Sequence, residues 1–191
     1  MESRPVEKIA KVLHTLVNIT LICNLIALLM APGMVYFRFA AENPTTFAAL
    51  QSTFAYDVDD GLGNLFSIYF SWVWQEPYTA MLSLFLLFSG TCTAVVLWQG
   101  RSVLNAILRG DPFSMENAVA LKRAAVCGFL ISGAALVRLV FSICYYASAR
   151  PLTTYNALFV PIFAMAGLLC LVMSALFRQA AEMKAENDLT I

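Results

Sequence analysis

The chain has 191 residues, 60% of them hydrophobic and 13% charged, with a mean hydropathy of +0.74. A water-soluble domain carries about 25% charged residues, so this composition cannot cover an exterior that faces water all round, and a bilayer is the expected solvent. Twelve basic residues balance twelve acidic ones, which excludes the strongly basic footprint of direct nucleic-acid binding.

A helix crossing about 30 Å of hydrocarbon needs roughly 20 apolar residues at 1.5 Å each. Four segments meet that length: 12–31, 78–98, 124–147 and 155–177. The runs are continuous and do not alternate, which excludes membrane strands. No small-residue cleavage site precedes a soluble domain, so the first run reads as a retained span rather than a signal peptide. The expected fold is all-α: a single domain, residues 1–191, built as a four-helix transmembrane bundle with cytoplasmic helical extensions.

Basic residues set the expected orientation. Arg4, Lys8 and Lys11 precede the first span; Arg101, Arg109, Lys122 and Arg123 lie between spans two and three; Arg178 and Lys184 follow the fourth. The other side holds Arg38 and Arg150 alone. This bias of nine (3 + 4 + 2) to two places both termini in the cytoplasm. Tyr36, Phe37, Tyr69, Trp72, Trp74, Tyr145 and Tyr146 fall at the outer boundary, where amphipathic rings settle.

The outer connection 38–77 ends in an apolar stretch, 65–74, expected to fold back on the outer leaflet as a short helix or hairpin. Asp57-Val-Asp59-Asp60-Gly61 lacks the Gly at position six and the Glu at position twelve of a calcium loop and reads as a solvated acidic turn. The second outer connection is a tight turn around Arg150-Pro151. Pro32 and Pro161 sit near the outer ends of their spans, where they kink or start helices without disturbing the buried middles.

The cytoplasmic connection 99–123 carries more pattern. Val103, Leu104, Ile107 and Leu108 share a helical face, and Gly110-Asp111-Pro112 stops that helix. Ser114 is a suitable N-cap for a helix that starts at Met115 and runs into span three. The fourth helix continues past Phe177 through good helix formers into the tail, 178–191. Three helices are thus expected to project into the cytoplasm, each by about 15 Å.

Two motifs in this region, Leu108-Arg-Gly-Asp-Pro-Phe-Ser-Met-Glu-Asn117 followed by Leu121-Lys-Arg, and the terminal Glu186-Asn-Asp-Leu-Thr-Ile191, resemble a bacterial membrane family known as domain of unknown function 2975. The resemblance implies a four-helix protein of the inner membrane. Members of that family are often encoded beside a small helix-turn-helix DNA-binding protein, which implies a regulatory pairing and no enzymatic activity.

Arg138 is the single charge inside a span. Ionisable groups at such depth are costly and often functional, and no span supplies an Asp or Glu to pair with it. Backbone carbonyls, Ser142, Tyr145 and Glu76 are its expected partners, and it is the candidate intramembrane polar site. His14 is the lone histidine, which excludes a bis-histidine haem within this chain and a multi-histidine metal site. The five cysteines, Cys23, Cys92, Cys127, Cys144 and Cys170, lie in apolar runs with no C-x-x-C pair and read as small buried hydrophobes. No nucleophile–base set or phosphate loop is present, so neither an enzyme nor a cofactor is expected.

The leading expectation is a non-enzymatic regulatory protein whose cytoplasmic face binds a soluble partner. The candidate partner-binding residues are Arg109, Asp111, Phe113, Asn117, Lys122, Arg123, Glu186 and Asp188. The rival is a small transporter or ligand-binding membrane protein using Arg138. Expected partners are membrane lipid and a helix-turn-helix regulator, with association between copies of the chain left open.

Overall fold

The computed structural model describes the backbone of residues 3–42 and 77–188, and the side chains of 8–29, 77, 78 and 80–187. The stretches 57–64 and 65–74 lie outside the described residues, as does nearly all of the outer connection.

Four long helices account for most of what is described: α1 (Ser3–Glu42), α2 (Pro77–Leu108), α3 (Met115–Tyr146) and α4 (Tyr155–Asp188). Each contains a stretch long and apolar enough to cross a membrane. α1 is longer than expected. It runs unbroken through Pro32 and Arg38 to Glu42, because a proline removes one backbone hydrogen bond while its neighbours keep theirs. α4 likewise continues through Pro161. Between α3 and α4 a short 3-10 turn, Arg150–Thr153, places Pro151 in its first turn, the tight connection expected from Arg150-Pro151.

The helices pack as a row, α1 on α2, α2 on α3 and α3 on α4. Among the described residues, α1 makes no comparable contact with α3 or α4, so the four expected helices pack each on its neighbour in the chain. The physical reason lies in the solvent. Lipid tails are as apolar as Leu, so no hydrophobic force draws the outer helices together. Leu16, Ile22 and Leu29 on α1 and Leu168, Leu169 and Val172 on α4 face outward with half or more of their surface exposed.

What holds neighbours together is small residues. The buried set is rich in small residues, Ala80, Ser83, Ala118, Ala125, Ser132, Ala135 and Ser174, with a few larger side chains, Leu21, Phe85, Leu104 and Ile131, among them, while many other large aliphatic side chains point outward. Small residues let backbones approach closely and gain dispersion contacts. A close backbone approach joins Gly128 of α3 to Gly167 of α4: a Cβ at Gly128 would lie 3.2 Å from the Gly167 Cα and 3.4 Å from the Phe163 carbonyl oxygen. On either side of this crossing a hydroxyl bridges the two helices. Ser132 Oγ donates to the Val160 carbonyl at 2.8 Å, and Ser174 Oγ donates to the Ala118 carbonyl at 2.6 Å.

The cysteines are free. The expectation that they are buried holds for Cys92; Cys127 and Cys170 are half-buried, and Cys23 and Cys144 face outward. Lipid tolerates an outward thiol, so an apolar run gives no warrant for burial. The Cys92 and Cys127 thiols also meet across the α2–α3 contact, a pairing invisible in their spacing.

The glycine crossing yields a test. Gly128→Leu has to push backbone against backbone and should lower stability in detergent by about 1–3 kcal/mol. Gly133→Ala, whose added Cβ meets nothing within 4 Å, should leave the thermal unfolding temperature unchanged or raise it.

Candidate functional site

Two places collect the chemistry-bearing residues, one at each end of the α3–α4 pair. The first is the turn between α2 and α3. α2 ends in a glycine-dependent stop. Gly110 adopts φ +83°, its N–H donates to the Ile107 carbonyl, and the Asp111 N–H donates to the Ala106 carbonyl, both at 3.1 Å. These two bonds satisfy carbonyls that a helix end otherwise leaves open. α3 then starts at Ser114, an extended N-cap residue whose Oγ accepts from the Asn117 N–H at 3.3 Å. The Asn117 side chain, 2% exposed, donates from Nδ2 to the Pro112 carbonyl at 2.8 Å. Asn117 was expected on the partner-binding surface; it points inward and pins the turn.

The turn rests on the last part of α4. Phe113 packs on Phe177 with ring centroids 5.5 Å apart, and Lys184 Nζ lies 2.8 Å from Asp111 Oδ1. The turn therefore lies against the helix beyond Phe177. Phe113 is covered in part, since 48% of it remains exposed. Met115 and Val119 of α3 and Met183 of α4 are exposed as well. Arg109, Lys122, Arg123 and Glu186 are exposed, and Arg123 borders a shallow groove of about 370 Å³ with Gln99, Ser102, Glu116 and Val119. Asp188 closes α4, and its side chain lies outside the described ones.

The second place is a cavity of about 550 Å³ at the opposite end, where α2, α3, α4 and the 3-10 turn meet. Arg138 lines it from α3 and Arg150 from the turn. Hydroxyls of Ser142, Ser148 and Thr154 and the Asn156 amide supply further polar groups. Phe85 and Leu139 form apolar wall. Tyr78 and Tyr146, also in the lining, belong to a ring cluster with Tyr145, at centroid separations of 5.2–5.8 Å.

Arg138 is half-buried and faces this cavity, not open lipid. Among the described residues its expected partners Ser142, Tyr145 and the backbone carbonyls do not bond it, and Glu76 lies outside the described residues. Its guanidinium carbon instead sits 4.8 Å from the centroid of the Phe85 ring. Ring quadrupoles attract cations, but nothing in the sequence links Phe85 on α2 with Arg138 on α3. Several other polar residues in the spans are committed locally, whereas Ser83 Oγ and Asn24 Oδ1 are buried with no hydrogen-bond partner among the described residues. Thr20, Ser89, Thr91 and Thr93 donate to carbonyls three or four residues earlier in their own helices. His14 Nδ1 pairs with the Asn18 side chain at 3.2 Å.

Four long apolar helices, a row held by small residues and an arginine turned inward define a multi-span α-helical membrane protein. More specifically, the chain belongs to the family described as protein of unknown function (DUF2975), whose profile matches residues 68–191. The match takes in α2, α3, α4 and both places described above. No curated protein and no solved structure matches the chain.

The turn's anatomy ranks its residues. Asn117→Ala leaves the Pro112 carbonyl without its buried donor and should cost about 1–3 kcal/mol. Asp111→Asn removes an ion pair between groups that are each more than half exposed and should cost less than about 1 kcal/mol. Thermal unfolding of the two variants in one detergent checks the order.

Proposed function

We propose that this is a non-enzymatic regulatory protein of a bacterial inner membrane, with both termini in the cytoplasm. Its termini-bearing face binds a soluble partner such as a small helix-turn-helix regulator. The observation that carries the reading is the turn 109–117: it is pinned at both ends by hydrogen bonds, yet it holds Phe113 half exposed among charged groups. A rigid apolar centre with a polar rim is how protein interfaces are built, and a defined shape reduces the ordering cost of binding. α2, α3 and α4 have 32, 32 and 34 residues, about 48–51 Å at 1.5 Å per residue, against about 30 Å of hydrocarbon. Projection of the excess on the basic side lifts the turn and Met183 clear of the lipid. The partner's class comes from the resemblance of the two motifs.

The cavity favours a second reading, a ligand-binding membrane protein that uses Arg138. Transport is the weaker form of it. A path needs successive polar groups, and beyond the cavity Ser132 and Ser174 are spent on carbonyls while Gly128 and Gly167 close the α3–α4 seam. Binding without passage suits a sensor: a ligand that prefers one arrangement of the helices shifts the population toward it.

Two experiments test the primary reading. Reporter fusions should give cytoplasmic activity at residues 110 and 191 and outer exposure near residue 59; an outer carboxy terminus contradicts the topology. Affinity purification in mild detergent should recover a small DNA-binding protein with the intact chain and lose it with Phe113→Asp or with removal of 187–191, while membrane insertion persists. Equal recovery with both variants sinks the interaction reading.

A further inference from the structure

The cavity at Arg138 carries a more specific conclusion than ligand binding in general. Among the described residues its lining includes two guanidinium groups, Arg138 and Arg150, and no Asp or Glu. Neither side chain makes an ion pair or a side-chain hydrogen bond with a described residue. The Phe85 ring offsets part of the Arg138 charge, but a ring face leaves most of the five guanidinium N–H donors without acceptors. A charge held at membrane depth is retained at a cost and calls for a counter-charge. Guanidinium suits planar, two-point recognition of carboxylate and phosphate oxygens.

The rest of the lining specifies what the anion is attached to. Ala135, Leu139 and Phe85 are apolar, and the tyrosines offer ring surface beside their hydroxyls. A volume of about 550 Å³ lies within the range of small-molecule sites, roughly 300–1,000 Å³. It exceeds what a bare inorganic ion needs and matches a compact organic anion.

We propose that this cavity binds an amphiphilic anion, with its carboxylate or phosphate between Arg138 and Arg150 and its apolar body against Phe85 and Leu139. The proposal rests on the ligand-binding reading and narrows it to one charge type. Two sources share this chemistry: an anionic lipid headgroup entering from the bilayer, and a water-soluble organic acid entering from the outer face.

The test uses the full chain in phosphatidylcholine nanodiscs and three soluble probes of similar shape: 1-naphthoate, 1-naphthamide and 1-naphthylmethylammonium. A fourth arm measures retention of short-chain phosphatidylglycerol against phosphatidylcholine by native mass spectrometry. Saturable binding of naphthoate alone supports the proposal with a soluble acid as source. Selective retention of phosphatidylglycerol supports it with lipid as source. In either case Arg138→Gln should weaken binding about tenfold or more, the value of a charge-assisted hydrogen bond, and Arg138→Lys should retain part of it. Because Arg138→Gln risks disturbing the helix contact, Arg150→Gln in the exposed turn serves as the second variant and should weaken binding while unfolding stays unchanged. Equal binding of the neutral or cationic probe overturns the anion proposal and leaves the ligand-binding reading standing. Absence of binding in every arm overturns both, and unchanged affinity in both glutamine variants overturns the assignment to this cavity.

Discussion

A bilayer offers no hydrogen bonds and no hydrophobic gradient between one apolar surface and another, and that constraint organises this protein. Backbone polar groups must be satisfied inside each helix, and helix association must come from close packing instead of water exclusion. The Gly128–Gly167 crossing, with its flanking serine bonds, meets that requirement for α3 and α4. Among the described side chains of α1, Leu21 is buried while Leu16, Ile22 and Leu29 are left to lipid.

The same constraint explains where polar residues end up. The hydroxyls of Thr20, Ser89, Thr91 and Thr93 fold back on their own helices, so they need no partner on another helix. One such bond would not satisfy Arg138, because a guanidinium carries five N–H donors and a full charge. It turns toward the cavity at the end of the row, over Phe85. At the other end the charged residues are numerous and exposed, and the fixed backbone of the α2–α3 turn sets the geometry among them. Both places border the α3–α4 pair, so a change in how those two helices pack would reach both. Under the proposed function, that shared border would join a ligand at one end to a partner at the other.

How much of this was legible in the sequence depends on the range of the interactions involved. Gly110, Ser114 and the apolar runs act through their immediate neighbours, and the helix stop, the helix start and the four spans were readable from them. The inward orientation of Arg138 was readable too, from the cost of a charge in hydrocarbon. Its contact with Phe85, the meeting of Cys92 with Cys127 and the seating of Phe113 on Phe177 join residues on different helices; spacing along one chain carries no record of which faces meet. Asn117 misled for a related reason. A polar residue in a turn motif suggests an exposed contact, and its role as an internal donor to Pro112 emerges only once the turn is folded. The order in which the helices pack was not legible, because hydropathy counts spans and does not say which neighbours each has.

Arg138 lines a cavity at the end of the helices opposite the termini, and the proposed site requires that water reach it there. A membrane-impermeant thiol reagent reads this in intact cells, in a chain whose native cysteines are replaced by serine. A thiol reacts as thiolate, which forms in water and not in hydrocarbon. Arg138→Cys should be labelled from outside, while its neighbour Val137→Cys, which is 59% exposed on the lipid-facing side, should stay unlabelled. Equal inertness at both positions, or labelling at 137 alone, would contradict the placement of Arg138 and the site built on it.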